Sequence, residues 1–401
     1  MSSELGRREW IKLGLGAAAL APQLAATAGA QVLQMEEAQK TLYPAPGLPG
    51  GGQLEVRMTQ SAEHPDPDIR EVGRRLKPYN LESWYSEWTR VAEKNEQLAA
   101  KFEGEGRKVS AHEQYLRAAE FYRNIVLYLT ESDVRTVPTY RKLNEMFDKA
   151  WSLVKPPFER INVPYEGKML SAHFYPVRGA AGQRAPVVYN YAGADGVLLR
   201  GDAGGGATQF TSRGMAFLDV DGPGHGGTLR MMKLYAPPDS ERVVKAVVDY
   251  LVTRPDVDPN RIALHGSSMG GYSAPRAATV EKRIKAVAVW SGAFSLRQDI
   301  FDYYPPIQDR LRWLMGARTL SEAREKIGEF TLEGRAKQIE CPLLVGYSHD
   351  DRIMDPRGAL RLYEEATNAK REMLDGVGHG EKRFEVRTYI ADWFAQQLQT
   401  A

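Results

Sequence analysis

Arg261-Ile262-Ala263-Leu264-His265-Gly266-Ser267-Ser268-Met269-Gly270 is the stretch that decides the fold. An apolar run of strand character ends in the pentapeptide G-x-S-x-G, and helix-like sequence follows from Met269 to Thr279. Small residues two positions either side of a serine let the chain turn sharply from strand into helix. Such a turn lifts the hydroxyl clear of the backbone. The amide of the next residue, Met269, then faces the same spot and is placed to stabilise an oxyanion. The pentapeptide therefore predicts Ser268 as a nucleophile.

A serine hydroxyl is a weak nucleophile until a base takes its proton, and the base needs an acid to orient it. The candidate base is His379, in Asp375-Gly376-Val377-Gly378-His379-Gly380. This glycine-rich loop lies between the last predicted strand and the last predicted helix, so the ring can reach across the top of a sheet. The chain has 7 histidines. His225 and His265 flank glycine turns, and His64, His112 and His173 lie in a linker, a helix and a hairpin. The acid lies in Ser348-His349-Asp350-Asp351-Arg352-Ile353-Met354, after the apolar run Cys341-Pro342-Leu343-Leu344-Val345-Gly346. Asp350 and Asp351 compete for the role. The second oxyanion donor is expected in the loop after Val187-Val188-Tyr189-Asn190-Tyr191, from Ala194 or alternatively Gly193. An ordinary strand-end turn is the competing reading there.

Outward from these loops, short apolar strands alternate with helices. The strands are Val187 to Tyr191, Ala216 to Val220, Ile262 to His265, Ala286 to Trp290, Leu343 to Gly346 and Arg371 to Leu374. Helices are predicted near 240–253, 269–279, 356–367 and 381–398. That alternation implies a mostly parallel sheet covered on both faces. Two β-type runs flank Glu166-Gly167 and predict a hairpin at the sheet's antiparallel edge. Residues near 295–335, with Tyr303-Tyr304-Pro305-Pro306, interrupt the alternation in the position of a lid insertion.

From about 66 to 157 the period is helical instead. Trp84, Trp88, Val91, Leu98 and Phe102 recur at 3.6-residue spacing, as do Tyr115, Ala118, Tyr122, Ile125 and Leu129. Ser110-Ala111-His112-Glu113 is a capping box that predicts the start of the second of these helices. The aromatic residues Trp84, Trp88, Tyr115, Tyr122 and Trp151 are expected mostly in helix packing, a minority lining a pocket.

The chain of 401 residues, with 43% apolar and 26% charged content and a net charge of +2, is ordinary for a soluble globular protein. Without a basic block it gives no sign of a nucleic-acid partner. One cysteine, Cys341, excludes an intrachain disulfide and is expected to be a small buried residue. The sequence has no HExxH, P-loop or metal-ligand cluster, so neither cofactor nor metal is expected. Gly222-Pro223-Gly224-His225-Gly226-Gly227 matches G-x-G-x-x-G. A dinucleotide site needs helix amides free to face a pyrophosphate. Pro223 removes one amide, and Pro237-Pro238 interrupts the region, so a tight turn bordering the active site is expected.

At the N-terminus, Gly6-Arg7-Arg8-Glu9-Trp10-Ile11-Lys12 resembles the twin-arginine export motif. A short apolar stretch, Leu13 to Ala21, and Ala28-Gly29-Ala30 follow it. The stretch is too short for a membrane span. Residues 1–30 are thus expected to be a signal peptide cleaved after Ala30, and 31–65 a Pro/Gly-rich arm. The product would be periplasmic or exported. An amphipathic N-terminal helix is the alternative.

Taken together, Asp221-Gly222-Pro223-Gly224-His225-Gly226, Gly266-Ser267-Ser268-Met269-Gly270-Gly271 and Trp290-Ser291-Gly292-Ala293-Phe294 resemble a known group. It is the α/β-hydrolases that include 2,6-dihydroxypseudooxynicotine hydrolase and the fungal polyketide-shortening hydrolases. More distantly it includes the fermentation–respiration switch esterase. Trp84-Tyr85-Ser86-Glu87-Trp88 and Ser110 to Ala118 look like the helical cap of that group. The resemblance implies an α/β-hydrolase fold with an N-terminal all-helical cap at 66–157 and a core at 158–401. Ser268, an acid and His379 follow in the order that fold uses. Its acid loop reads a small residue, two positions, Asp, one position, then Ile or Leu. Ser348 and Ile353 fit that pattern around Asp351.

The resemblance further implies a serine hydrolase, often dimeric. It would act on a small-molecule ester or on the C–C bond of a 1,3-diketone-like compound. The C–C hydrolases of the group carry an extra acid after the nucleophile strand; Asp299 stands in that place, as Asp rather than Glu. A prolyl-oligopeptidase-like peptidase and a non-catalytic binding protein on the same fold are the competing readings.

Overall fold

The computed structural model describes residues 61–78, 80–177, 183–198, 206–376, 378–380 and 384–399. The signal segment and most of the arm expected from the sequence lie outside the described residues. Among the described residues, four helices precede the sheet: α1 (Pro67–Arg75), α2 (Leu81–Gly104), α3 (Lys108–Val126) and α4 (Thr136–Leu153). Their apolar stripes meet one another. Trp84, Trp88, Tyr115, Phe121 and Tyr122 are buried, and Trp84 Nε1 donates to the Asn124 carbonyl at 2.9 Å. These rings form the interior of the helical unit, while Trp151 is half-buried against His112 and Phe147.

The capping box at Ser110 does not start α3. The helix begins at Lys108, with Arg107 at its cap and no side-chain cap bond. Gly106, at φ +75, ends α2 in the left-handed region, and the Arg107 amide closes back onto the Phe102 carbonyl at 2.8 Å. That closure re-aims the chain at once, so Ser110 falls inside the first turn.

The sheet follows as β1 (Glu159–Tyr165), β2 (Lys168–Tyr175), β3 (Ala185–Tyr191), β4 (Ala216–Val220), β5 (Val257–Ser267), β6 (Ile284–Trp290), β7 (Leu343–Ser348) and β8 (Arg371–Gly376). Their spatial order is β1-β2-β4-β3-β5-β6-β7-β8. β1 and β2 are antiparallel, β2 runs antiparallel to β4, and the other neighbours are parallel. The β1–β2 turn has two residues. Glu166 and Gly167 both take positive φ, 47° and 74°, the turn whose twist matches that of the strands.

Helices cover both faces. On one face lie α7 (Ser240–Leu251), α8 (Gly270–Ala278), α11 (Pro356–Glu365) and the insertion between β6 and β7. The stripe Val243, Val244, Val247, Val248, Leu251 shows why α7 docks there: all five are fully buried, each contributing roughly 1.5–3 kcal/mol by burial. The insertion carries a π-turn (Arg297–Asp302), α9 (Gln308–Leu314) and α10 (Leu320–Lys326), and a Ser295–Thr331 bridge closes its base.

On the other face lie α5 (Gly206–Thr211), α12 (Phe384–Gln397) and the helical unit, whose interior is continuous with that core. An aromatic chain makes the join. His173 stacks on Phe158 at 4.2 Å and on Phe147 of α4 at 5.5 Å, and burial lowers its pKa to about 3, so the ring packs as a neutral aromatic. Cys341 is half-buried just before β7. No helix among the described residues is long and apolar enough to cross a membrane.

Candidate active site

β5 ends at Ser267 and α8 begins at Gly270, so only two residues make the corner. Ser268 adopts φ +59, a conformation that costs a non-glycine residue roughly 1–2 kcal/mol. Crowding explains the flanking glycines. A Cβ on Gly266 would lie 2.1 Å from the Gly270 carbonyl oxygen, and one on Gly270 would lie 2.0 Å from that of Tyr191. The Ser268 amide is held by the Trp290 carbonyl at 3.0 Å. The corner is therefore over-determined on both sides, which is how a strained residue persists.

The three residues singled out by sequence meet here. His379 Nε2 lies 3.0 Å from Ser268 Oγ, and His379 Nδ1 lies 2.9 and 3.1 Å from the Asp351 carboxylate oxygens. An ionised carboxylate only accepts, so Nδ1 carries the hydrogen and Nε2 presents its lone pair to the serine hydroxyl. Asp351 is 1% exposed. Its Oδ1 also accepts the amides of Ile353 and Met354, at 2.9 and 3.0 Å. Burial pushes this carboxyl up, but the His379 ring and the two amides outweigh it and hold it below the usual range.

The loops around the triad are tied to one another. Asp350 does not face the ring; its Oδ1 accepts the Gly378 amide at 2.6 Å, beside His379. The Gly380 amide donates to Ser291 Oγ at 3.2 Å, so the histidine loop is fixed on both flanks. Tyr303 of the insertion donates its hydroxyl to the Asp351 carbonyl at 3.0 Å. Sequence reasoning missed Ser291 and Tyr303. Ser291 carried one local signal, a strand end followed by glycine; Tyr303 had none.

The loop after β3 passes the same corner. A Cβ on Gly193 would lie 3.2 Å from that of Ser268, so the 192–194 backbone runs alongside the serine. Among the described residues, neither the Met269 nor the Ala194 amide donates to a backbone carbonyl. Asp299 stands in the layer behind. Its Oδ2 accepts the amides of Phe294 and Ser295 at 2.7 and 2.8 Å, and its carbonyl accepts the Asp355 amide at 2.8 Å. Its carboxylate is engaged by its own turn and packs against Gly358 of α11. Burial pushes its pKa up to about 7.

The glycine-rich turn after β4 also has an explanation. A short helix, α6 (Gly226–Arg230), does start there. Asp221 Oδ2 accepts the amides of Gly227 and Thr228 at 2.7 and 3.3 Å. The protein's own carboxylate occupies the position a pyrophosphate would need.

Comparison with known proteins finds proteins similar to this chain. A family model described as FrsA-like esterase matches residues 57–297. A model of the prolyl oligopeptidase family matches residues 206–400. An alpha/beta hydrolase, pydG, from Acremonium sp is 31% identical over 84% of this chain and 89% of its own. Hydrolase LUC6 from Fusarium sp is 29% identical over 71% of this chain and 77% of its own. The crystal structure of 2,6-dihydroxy-pseudo-oxynicotine hydrolase superposes with a TM-score of 0.70 at 22% identity, covering 86% of this chain and 95% of that one.

Proposed function

The chain belongs to the FrsA-like esterase family of α/β-hydrolases, and on that premise we propose that it is a hydrolase working through Ser268, His379 and Asp351. The observation that carries this reading is the continuous relay from Ser268 Oγ through the His379 ring to Asp351, at 3.0 and 2.9 Å. Ser268 Oγ attacks the substrate carbonyl carbon while His379 Nε2 takes its proton. Asp351 stabilises the imidazolium that forms. The carbonyl electrons move onto oxygen, and the amides of Met269 and Ala194 receive that oxyanion. Collapse breaks the bond to the leaving group, which takes the proton from His379. A water then attacks the acyl-serine by the same proton route and restores the hydroxyl.

The bond cleaved is that of a small-molecule ester, or the C–C bond of a 1,3-diketone-like compound. In the second case the leaving carbanion is stabilised by the second carbonyl and protonated by the imidazolium. The helical unit caps the site and limits its access to water. The match of residues 206–400 to the prolyl oligopeptidase model favours a second reading, cleavage of an amide. Turnover of aryl acyl esters against peptide p-nitroanilides separates the two. Ser268→Ala should lower kcat/KM on the preferred class on the order of 10⁶-fold with the fold retained. Retention of most activity in the folded variant would overturn the proposal.

The same proposal places the protein outside the cytoplasm, directed by Arg7 and Arg8. Lysine at both positions should leave the precursor inside the cell. Mature protein that still starts near Gln31 and appears outside would contradict it.

A further inference from the structure

Two arginines lie buried beside the proposed oxyanion loop with part of their hydrogen-bonding capacity unmatched. Arg310, in α9 of the insertion, is 9% exposed, and Arg230, at the end of α6, is 6% exposed. Arg310 Nη2 donates to the Ala194 carbonyl at 3.1 Å. It therefore binds the residue next to Gly193, about 3.8 Å along the chain from the position where an added Cβ would lie 3.2 Å from that of Ser268. Arg230 donates to the carbonyls of Gly226 and Val126, at 3.1 and 3.3 Å, linking the core to the end of α3. Both guanidiniums lie over the Trp313 ring, at 5.2 and 5.3 Å from its centroid.

Arg310 Nε and Nη1 and Arg230 Nε are buried and find no acceptor among the described residues. Asp195 acts through space on both arginines, and Asp221 on Arg230. Asp221 is held by the amides of Gly227 and Thr228. Buried guanidinium N–H groups without acceptors are costly, and an anionic ligand removes that cost. These donors are cationic N–H groups beside one indole, and they suit an anionic oxygen acceptor such as a carboxylate.

We propose that Arg310 and Arg230 receive a carboxylate carried by the substrate, away from the bond being cleaved. The protein is then selective for acidic substrates over neutral ones of the same length. This rests on the hydrolase reading of Ser268, so the test has one arm that needs turnover and one that does not.

In the first arm, kcat/KM is compared for p-nitrophenyl hemiglutarate and p-nitrophenyl valerate. The acidic ester should be preferred roughly tenfold or more, the scale of a charged hydrogen bond. Arg230→Gln should bring the ratio towards one, chiefly through KM of the acidic ester, and Arg230→Lys should restore part of it. In the second arm, glutarate is titrated by calorimetry into the wild-type and Ser268→Ala proteins. Saturable binding should appear in both and weaken in Arg230→Gln and Arg310→Gln.

Binding of glutarate without turnover of either ester would keep the subsite and remove the hydrolase reading. Equal losses for both esters in Arg230→Gln would mark the arginine as structural and overturn the proposal. So would the absence of glutarate binding to the wild-type protein, an outcome that does not depend on any variant folding.

Discussion

Asp351, in the loop after β7, and Asp299, in the turn after β6, are buried to a similar degree, at 1% and 6% exposure. Each accepts two backbone amides. The two segments also touch, through the Asp299 carbonyl and the Asp355 amide. Yet burial pushes Asp299 up to about 7, while Asp351 is held below the usual carboxylate range. The difference is the ring. Asp351 faces His379, whereas Asp299 has Asp355 nearby and only the through-space help of Arg357. A pair of amides does not offset burial at Asp299; a pair of amides together with a facing imidazole does at Asp351.

Removing charge from the first acid should therefore matter most. Asp351→Asn should lower kcat on the order of 10⁴-fold, because the ring loses the partner that fixes its tautomer. Steady-state kinetics on the folded variant measures it. Asp350→Ala leaves the triad intact but frees the Gly378 amide. A loosened histidine loop should cost about tenfold to a hundredfold in kcat. If Asp350→Ala proves worse than Asp351→Asn, the acid assignment moves to Asp350.

The smallest effect belongs to the second acid. Asp299→Asn should leave kcat/KM close to wild type, and a large drop would return Asp299 to a substrate-side role. Its signature lies in stability instead. A folded pKa near 7 stands above the unfolded value of about 3.9, so the folded state holds the extra proton between them. That contribution is fully present below pH about 4 and is lost as pH rises through about 7. Asp351 has the opposite sign: its contribution is present above about pH 4 and is lost as pH falls through its depressed folded value. Thermal unfolding between pH 4 and 8 should show wild-type Tm falling relative to Asp299→Asn as pH rises. Parallel curves would mean that Asp299 titrates as an ordinary carboxylate.

The contrast also marks where sequence stops being readable. Ser268 was legible because its geometry is local: two glycines and a strand-to-helix corner leave little choice. The alternation that fixed the parallel sheet was legible for a similar reason, since periods of 2 and 3.6 repeat within each element. The short helices Gly206–Thr211 and Gly226–Arg230 were not, being too brief to show a period. The second exists because Asp221 caps its amides from six residues away. Asp350 and Asp351 are adjacent, and only the packed loops decide which one meets the ring. Nothing local in the sequence marks Arg230 or Arg310; their burial is a property of the assembled helical unit, insertion and core.

The most direct test of the central claim is to label the protein with a fluorophosphonate and locate the adduct by intact mass and peptide mapping. The account expects one adduct, on Ser268, absent from Ser268→Ala and formed far more slowly in Asp351→Asn than in Asp299→Asn. An adduct on Ser267, or ester turnover that persists in an unlabelled Ser268→Ala protein, would contradict it.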